Sequence, residues 1–99
     1  MRLFWSLLAS NDRRATFRYI ANDRSVAVAN KVDAEIKAKA EQLIALPEIG
    51  RPGRVEGTRE LVITGLPYIL AYVVLADRVR ILRVLHGAQQ WPDDLPHLI

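Results

Sequence analysis

The strongest pattern in the chain runs from Val26 to Ile44, where Val26, Ala29, Val32, Ile36, Ala40, Leu43 and Ile44 recur at steps of three and four. That period places them on one helical face, while Lys31, Asp33, Glu35, Lys37, Lys39 and Glu41 fill much of the remainder. Ser25 stands where a cap belongs, and Pro47 and Gly50 end the helix. A second helix is expected ahead of it, from Leu7 to Ala21, capped by Ser6. No Gly or Pro interrupts that span, and Leu7, Leu8, Phe17 and Ile20 share a stripe, although the run Ser10-Asn11-Asp12-Arg13-Arg14 is polar. The turn signal Asn22-Asp23 joins the two helices into a hairpin.

After Pro47 the character changes. Pro47 to Gly57 holds two prolines, three glycines and two arginines, and reads as a loop. Beyond it the apolar period falls to two, or to continuous runs, which predicts strands at Thr58–Thr64, Tyr68–Leu75 and Arg78–His86. The short connections Thr64-Gly65-Leu66-Pro67 and Ala76-Asp77 make these antiparallel neighbours. The middle run, Tyr68 to Val74, is apolar on both faces, as a central strand requires. Arg2 to Trp5 reads as a short first strand, and the tail from Trp91 to Pro96 as irregular. The expected fold is α+β: an N-terminal strand and a helical hairpin packed on an antiparallel C-terminal β-sheet, with one sheet face covered and the other open.

With 99 residues the chain has room for one core, so residues 1–99 are expected to form a single domain. The absence of cysteine removes disulfides, thiolate metal sites and a cysteine nucleophile, and fits a reducing cytoplasm. Met1 to Ser6 has too little apolar length for a signal peptide, and Leu66 to Ala76 falls short of the roughly 20 residues of a membrane span. A soluble, cytoplasmic protein with no membrane partner is expected. The net charge of +3 comes almost wholly from arginine, eleven against three lysines. The planar guanidinium fork suits phosphate and carboxylate, so the composition points to an anionic partner, either nucleic acid or an acidic peptide.

Several residues are candidates for chemistry. Strict alternation in the last strand puts Arg78, Arg80, Leu82, Val84 and His86 on one side and Val79, Ile81, Arg83 and Leu85 on the other. Arg83 then falls among residues that otherwise look like core: either it is buried and needs a partner, for which Glu60 is a candidate, or it reaches solvent at the strand end. Arg51, Arg54, Arg59 and Arg80 are expected on the open face, either as a patch for phosphates or a partner's carboxylates, or as separately solvated charges. His86, at a strand end, is either a general acid or base or a structural hydrogen-bonding group. Tyr68 and Tyr72 share a face, either in the core or offered to bases. His97 has no visible company in the tail. Two histidines and no acidic cluster at ligand spacing give no metal site, and no cofactor is expected. The glycines at 50, 53 and 57 lack the strand–loop–helix context and lysine of a phosphate loop, and Gly-x-Ser-x-Gly is absent.

Nearly the whole chain, most strongly its C-terminal half, resembles the RelE/ParE superfamily of bacterial type II toxins. The segments that carry the likeness are Leu46 to Arg54, Gly57 to Val62, Pro67 to Tyr72, Val79 to Ala88 and Gln89-Gln90-Trp91-Pro92, with Tyr19-Ile20-Ala21 ahead of them. The resemblance implies a growth-arresting toxin masked by a cognate antitoxin, which meets operator DNA only indirectly, through that antitoxin. It implies one of two targets: DNA gyrase for ParE-like members, or messenger RNA on the ribosome for RelE-like endonucleases. The nucleases usually carry an arginine in the central strand where this chain has Ile69, and basic residues after the last strand where it has Ala88, Gln89 and Gln90. Loss of such a charge removes about 3–4 kcal/mol of transition-state stabilisation, which favours the ParE-like reading. Were the chain a nuclease, His86, Arg80 and Arg83 are the residues left to act. For either class the resemblance gives Arg51, Arg54, Arg59, Arg80 and Arg83 as contacts to target or antitoxin. A degenerate toxin that retains only antitoxin binding is a further alternative.

Overall fold

The computed structural model describes residues 1–88 and 91. Strand β1 spans Arg2–Trp5, helix α1 Leu7–Asp23 and helix α2 Val26–Ala45. Four strands follow: β2 at Arg51–Pro52, β3 at Arg59–Val62, β4 at Tyr68–Val74 and β5 at Arg78–His86. The α+β reading therefore holds, with one strand more than the sequence shows. Among the described residues the sheet runs β1-β5-β4-β3-β2. β1 lies parallel to β5, and every other neighbouring pair is antiparallel.

Both helices start where a serine can cap them. The Ser6 and Ser25 side chains accept the N–H groups of Ala9 and Val28, three residues on. In α2 the expected stripe packs inward at Ala29, Ile36, Ala40 and Leu43, while its ends, Val26 and Ile44, stay exposed. α1 is turned further from expectation: Ala9 and Ile20 are its buried residues, and Leu7 is exposed. The Ser6 hydroxyl explains this, since it also donates 2.7 Å to the carbonyl of Leu82. That bond pins the start of α1 to β5 and turns Ala9, rather than Leu7, to the sheet.

The core proper lies between the hairpin and one sheet face, where Ile36, Ala40 and Leu43 meet Leu61, Ile63, Leu70, Tyr72, Val79, Ile81 and Val84. The opposite, outer face has its own apolar centre of Ala71, Val73, Leu82 and Leu85. β4 is accordingly buried on both faces, as its continuous apolar run requires.

Strict alternation fails in β5 because of a bulge. Tyr72 pairs with Ile81 but Ala71 pairs with Arg83, so Leu82 is an extra residue. Val79 and Ile81 face the hairpin before it and Val84 after it, while Leu82 and Leu85 join the outer cluster. This is why neither alternate set in the sequence is purely apolar. At the other end of the sheet, Leu66 N–H closes a tight turn on Ile63, with Gly65 at φ 83° in the position where a type II turn needs positive φ. Trp91 is the one described part of the tail; His97 and the remainder of the segment read as irregular lie outside the described residues.

Candidate functional site

The expected open face is not open at its centre. Val55, from the loop after β2, and Trp91 pack on the outer cluster, whose four members are no more than 3% exposed. The sequence conceals this because the covering residues come from a loop and from the tail, where no periodicity announces burial. What the outer face leaves at its rim is arginine.

Arg51 and Arg54 are brought together by Glu60, which points from β3 to this face opposite Ala71. Its carboxylate is 3% exposed and accepts Arg51 Nη2 at 3.1 Å, Arg54 Nε at 3.3 Å and the backbone N–H of Arg54 at 2.8 Å. Burial alone would raise its pKa, but the Arg54 N–H, the Arg54 guanidinium and the Arg51 guanidinium outweigh burial and hold it below the ordinary 4.5. The Arg54 guanidinium also lies 3.4 Å over the Trp91 ring. Glu60 is therefore the organiser of the loop arginines and not, as the sequence led one to expect, the partner of Arg83.

Arg83 belongs to Asp12, 71 residues earlier. Its Nε and Nη2 reach the two carboxylate oxygens at 2.8 and 3.0 Å, and the Val84 N–H donates to the same carboxylate at 2.9 Å. β1 ends beside Ile81, so Ser6 and Asp12 of the following segment take over the exposed edge of β5 from there on. The polar run in the middle of α1 thus has a structural task that its sequence does not show. Next to it Arg13 is held by Asp33 of α2 through two bonds, at 3.0 and 2.9 Å, and lies over the Trp5 ring.

The other candidates separate. Arg59 faces the hairpin side and donates to the carbonyls of Glu48 and Gly50 at 3.3 and 2.7 Å, which orders the loop after α2. Tyr72 is fully buried; its hydroxyl donates to the Pro47 carbonyl at 2.8 Å and accepts the Gly50 N–H at 2.9 Å, so it offers nothing to a base. Tyr68 is half-buried and meets His86 edge-on, with ring centroids 5.7 Å apart. His86 Nδ1 accepts the Ala88 N–H at 3.1 Å. Arg80 is exposed on the outer face opposite Val73, whereas His86 pairs with Tyr68, which packs toward the hairpin core. Six residues apart on one strand, Arg80 and His86 lie roughly 20 Å from each other at ~3.3 Å per residue. Ile69 is buried opposite Leu85.

No group of three or more His, Cys, Asp or Glu suited to a metal occurs among the described residues. No helix among them is long and apolar enough to cross a membrane.

With this geometry in hand, comparison with known proteins is specific. The family described as "ParE toxin of type II toxin-antitoxin system, parDE" matches residues 3–91. A protein of Sinorhizobium fredii (strain NBRC 101917 / NGR234), named "Putative toxin Y4kP", is 42% identical over 94 residues, covering 95% of this chain and 96% of its own. Among solved structures, the "Chromosomal ParDE TA system from P. aeruginosa" superposes with a TM-score of 0.81 at 26% identity, over 87% of this chain and 95% of that one. The match takes in both the helical hairpin and the sheet, and it decides between the two branches of the superfamily that the sequence resembles. Family membership carries with it an antitoxin partner. The chain belongs to the ParE toxins of type II toxin–antitoxin systems.

Proposed function

We propose that this toxin arrests growth by binding and poisoning DNA gyrase, without an active site of its own, and that its cognate antitoxin silences it in the cytoplasm, where gyrase works. The whole of residues 1–99 acts as one domain in this reading, and operator DNA is met only through the antitoxin.

The observation that carries the reading is the scattering of the residues a nuclease would need. Arg80 and His86 point to opposite faces some 20 Å apart, and Arg83 is committed to Asp12. A general base must sit within about 3 Å of the proton it takes, and an oxyanion donor within about 3 Å of the developing charge. These three side chains do not surround one phosphate. The exposed apolar residues of the hairpin, such as Leu7, Tyr19 and Val26, suit protein recognition instead.

Brief induction of the toxin without its antitoxin tests the proposal. DNA-damage signalling with gyrase held covalently on the chromosome is the expected outcome. Codon-phased ends in ribosome-bound messages, with undamaged DNA, would transfer the assignment to the nuclease class. Harmless expression would mark the chain as a toxin that retains antitoxin binding alone.

A further inference from the structure

We infer that the outer rim of the β1–β5 edge, formed by Arg2, Phe4 and Arg78, is a contact surface for the phosphates of single-stranded nucleic acid. This site is independent of the gyrase reading and involves no antitoxin.

Arg2 and Arg78 are register partners in the parallel β1–β5 pair, and Leu3, Trp5 and Val79 pack on the hairpin side. Alternation therefore sends Arg2, Phe4 and Arg78 together to the outer face. Both guanidinium groups lie over the Phe4 ring, at 4.9 and 5.1 Å from its centroid. Such a cation–π contact holds each guanidinium near the rim while its positive charge and N–H donors stay available to a phosphate. Among the described residues the carboxylate at this corner is Asp77, which takes Arg78 Nε at 3.0 Å and leaves the two terminal nitrogens of the fork. Among the described residues, two cations thus share one exposed corner with a single acid.

The corner is the start of a band. Arg80 follows Arg78 on the same face, and Arg51 and Arg54 stand at the far edge around Glu60. From β1 to β2 the sheet is roughly 19 Å wide, enough to follow several nucleotides of backbone.

The choice between nucleic acid and an acidic peptide rests on what the face lacks. An amphipathic peptide needs an apolar seat beside the charges. Here the apolar centre, Ala71, Val73, Leu82 and Leu85, is already covered by Val55 and Trp91. A polyanion needs only the rim.

The test is fluorescence anisotropy of the purified full-length toxin with a labelled single-stranded DNA 12-mer over a series of salt concentrations. Binding that weakens linearly in log–log form is expected. Arg2→Ala/Arg78→Ala should lower the affinity about tenfold or more and make the salt slope shallower by about 1.4. Arg2→Lys/Arg78→Lys, which keeps the charges, should retain most of that slope. Lys31→Ala/Lys37→Ala removes as much charge from the exposed side of α2 and should change affinity by less than about twofold. Thermal melts of all variants confirm that they fold. The proposal is overturned by an absence of salt-sensitive binding. Equal losses in the arginine and lysine pairs, or displacement of the DNA by polyglutamate at equal charge concentration, would also overturn it.

Discussion

Replacing Asp12 by alanine should destabilise the fold far more than an exchange in the polar middle of a surface helix ordinarily does. The carboxylate takes three bonds at 2.8, 3.0 and 2.9 Å from Arg83 and the Val84 N–H, and the two side chains are only 14% and 17% exposed. Hydrogen bonds to a charged group contribute about 1.5–3 kcal/mol each, and removing one partner of a fully buried ion pair costs about 3–5 kcal/mol. This pair keeps some contact with solvent, and its bonds do not add independently, so a loss of about 2–4 kcal/mol is expected for Asp12→Ala. At this chain length about 3 kcal/mol lowers Tm by roughly 12–24 °C. Asp12→Asn keeps one oxygen for the Val84 N–H and should lose about half as much. Arg83→Met removes the guanidinium while leaving Asp12 on Val84. In that background Asp12→Ala should cost less than it does alone, by a coupling of about 1–2 kcal/mol. Urea unfolding followed by circular dichroism gives all four corners of the cycle. If Asp12→Ala and Asp12→Asn both fall within about 0.5 kcal/mol of the parent, Asp12 does not close the edge of β5 and the reasoning fails.

Two further outcomes follow from the loop that carries the arginines. Glu60 titrates below its ordinary value in the folded state, so its contribution is complete above pH 4.5 and is lost as pH falls through the lower, folded pKa. Acid unfolding curves should therefore be flat from pH 7 to about 5 and drop below that, and Glu60→Gln should lose about 1–3 kcal/mol at pH 7 while flattening the acid limb. An unchanged acid limb in that variant would remove Glu60 from the account. Gly50→Ala should be costly for a different reason: a Cβ there would stand 2.5 Å from the Tyr72 hydroxyl, 2.7 Å from its ring and 3.0 Å from the Glu60 carbonyl. A loss of about 1–3 kcal/mol in urea melts, relieved in part by Tyr72→Phe, is expected.

How much of this was legible in the sequence depended on whether a residue's partner was near in sequence or distant. The α2 stripe, the doubly buried β4 and the two serine caps follow from period and composition alone, because each is decided within a few residues. The bulge at Leu82 was visible only as an inconsistency, an arginine among core positions, and nothing local says on which side of it the register slips. Asp12 and Glu60 show the limit most directly. Both are carboxylates in polar surroundings, and which arginine each one takes depends on β1 ending at Trp5 and on the loop after β2 folding over the outer face. On sequence grounds Glu60 is a candidate partner for Arg83 because both lie on sheet strands, whereas nothing local ties Asp12 to β5. The arginines that the family resemblance groups for a ligand are likewise split: Arg51 and Arg54 share Glu60, Arg59 braces the loop after α2, and Arg83 closes the sheet edge. Arg2 and Arg78, which do share a corner, stand 76 residues apart in the sequence. The signal for them was the aromatic between Arg2 and Trp5, and it becomes readable only once the parallel pairing of β1 with β5 is known.

On the function proposed above, the toxin acts by holding an enzyme on DNA and has no reaction of its own. Purified toxin added to a bacterial DNA gyrase, supercoiled plasmid and ATP addresses this directly, with linear DNA released by protease and detergent as the readout. Linear product that rises with toxin and disappears when antitoxin is added first is the predicted result. Intact plasmid at every toxin concentration, together with cleavage of messenger RNA on added ribosomes, would contradict it.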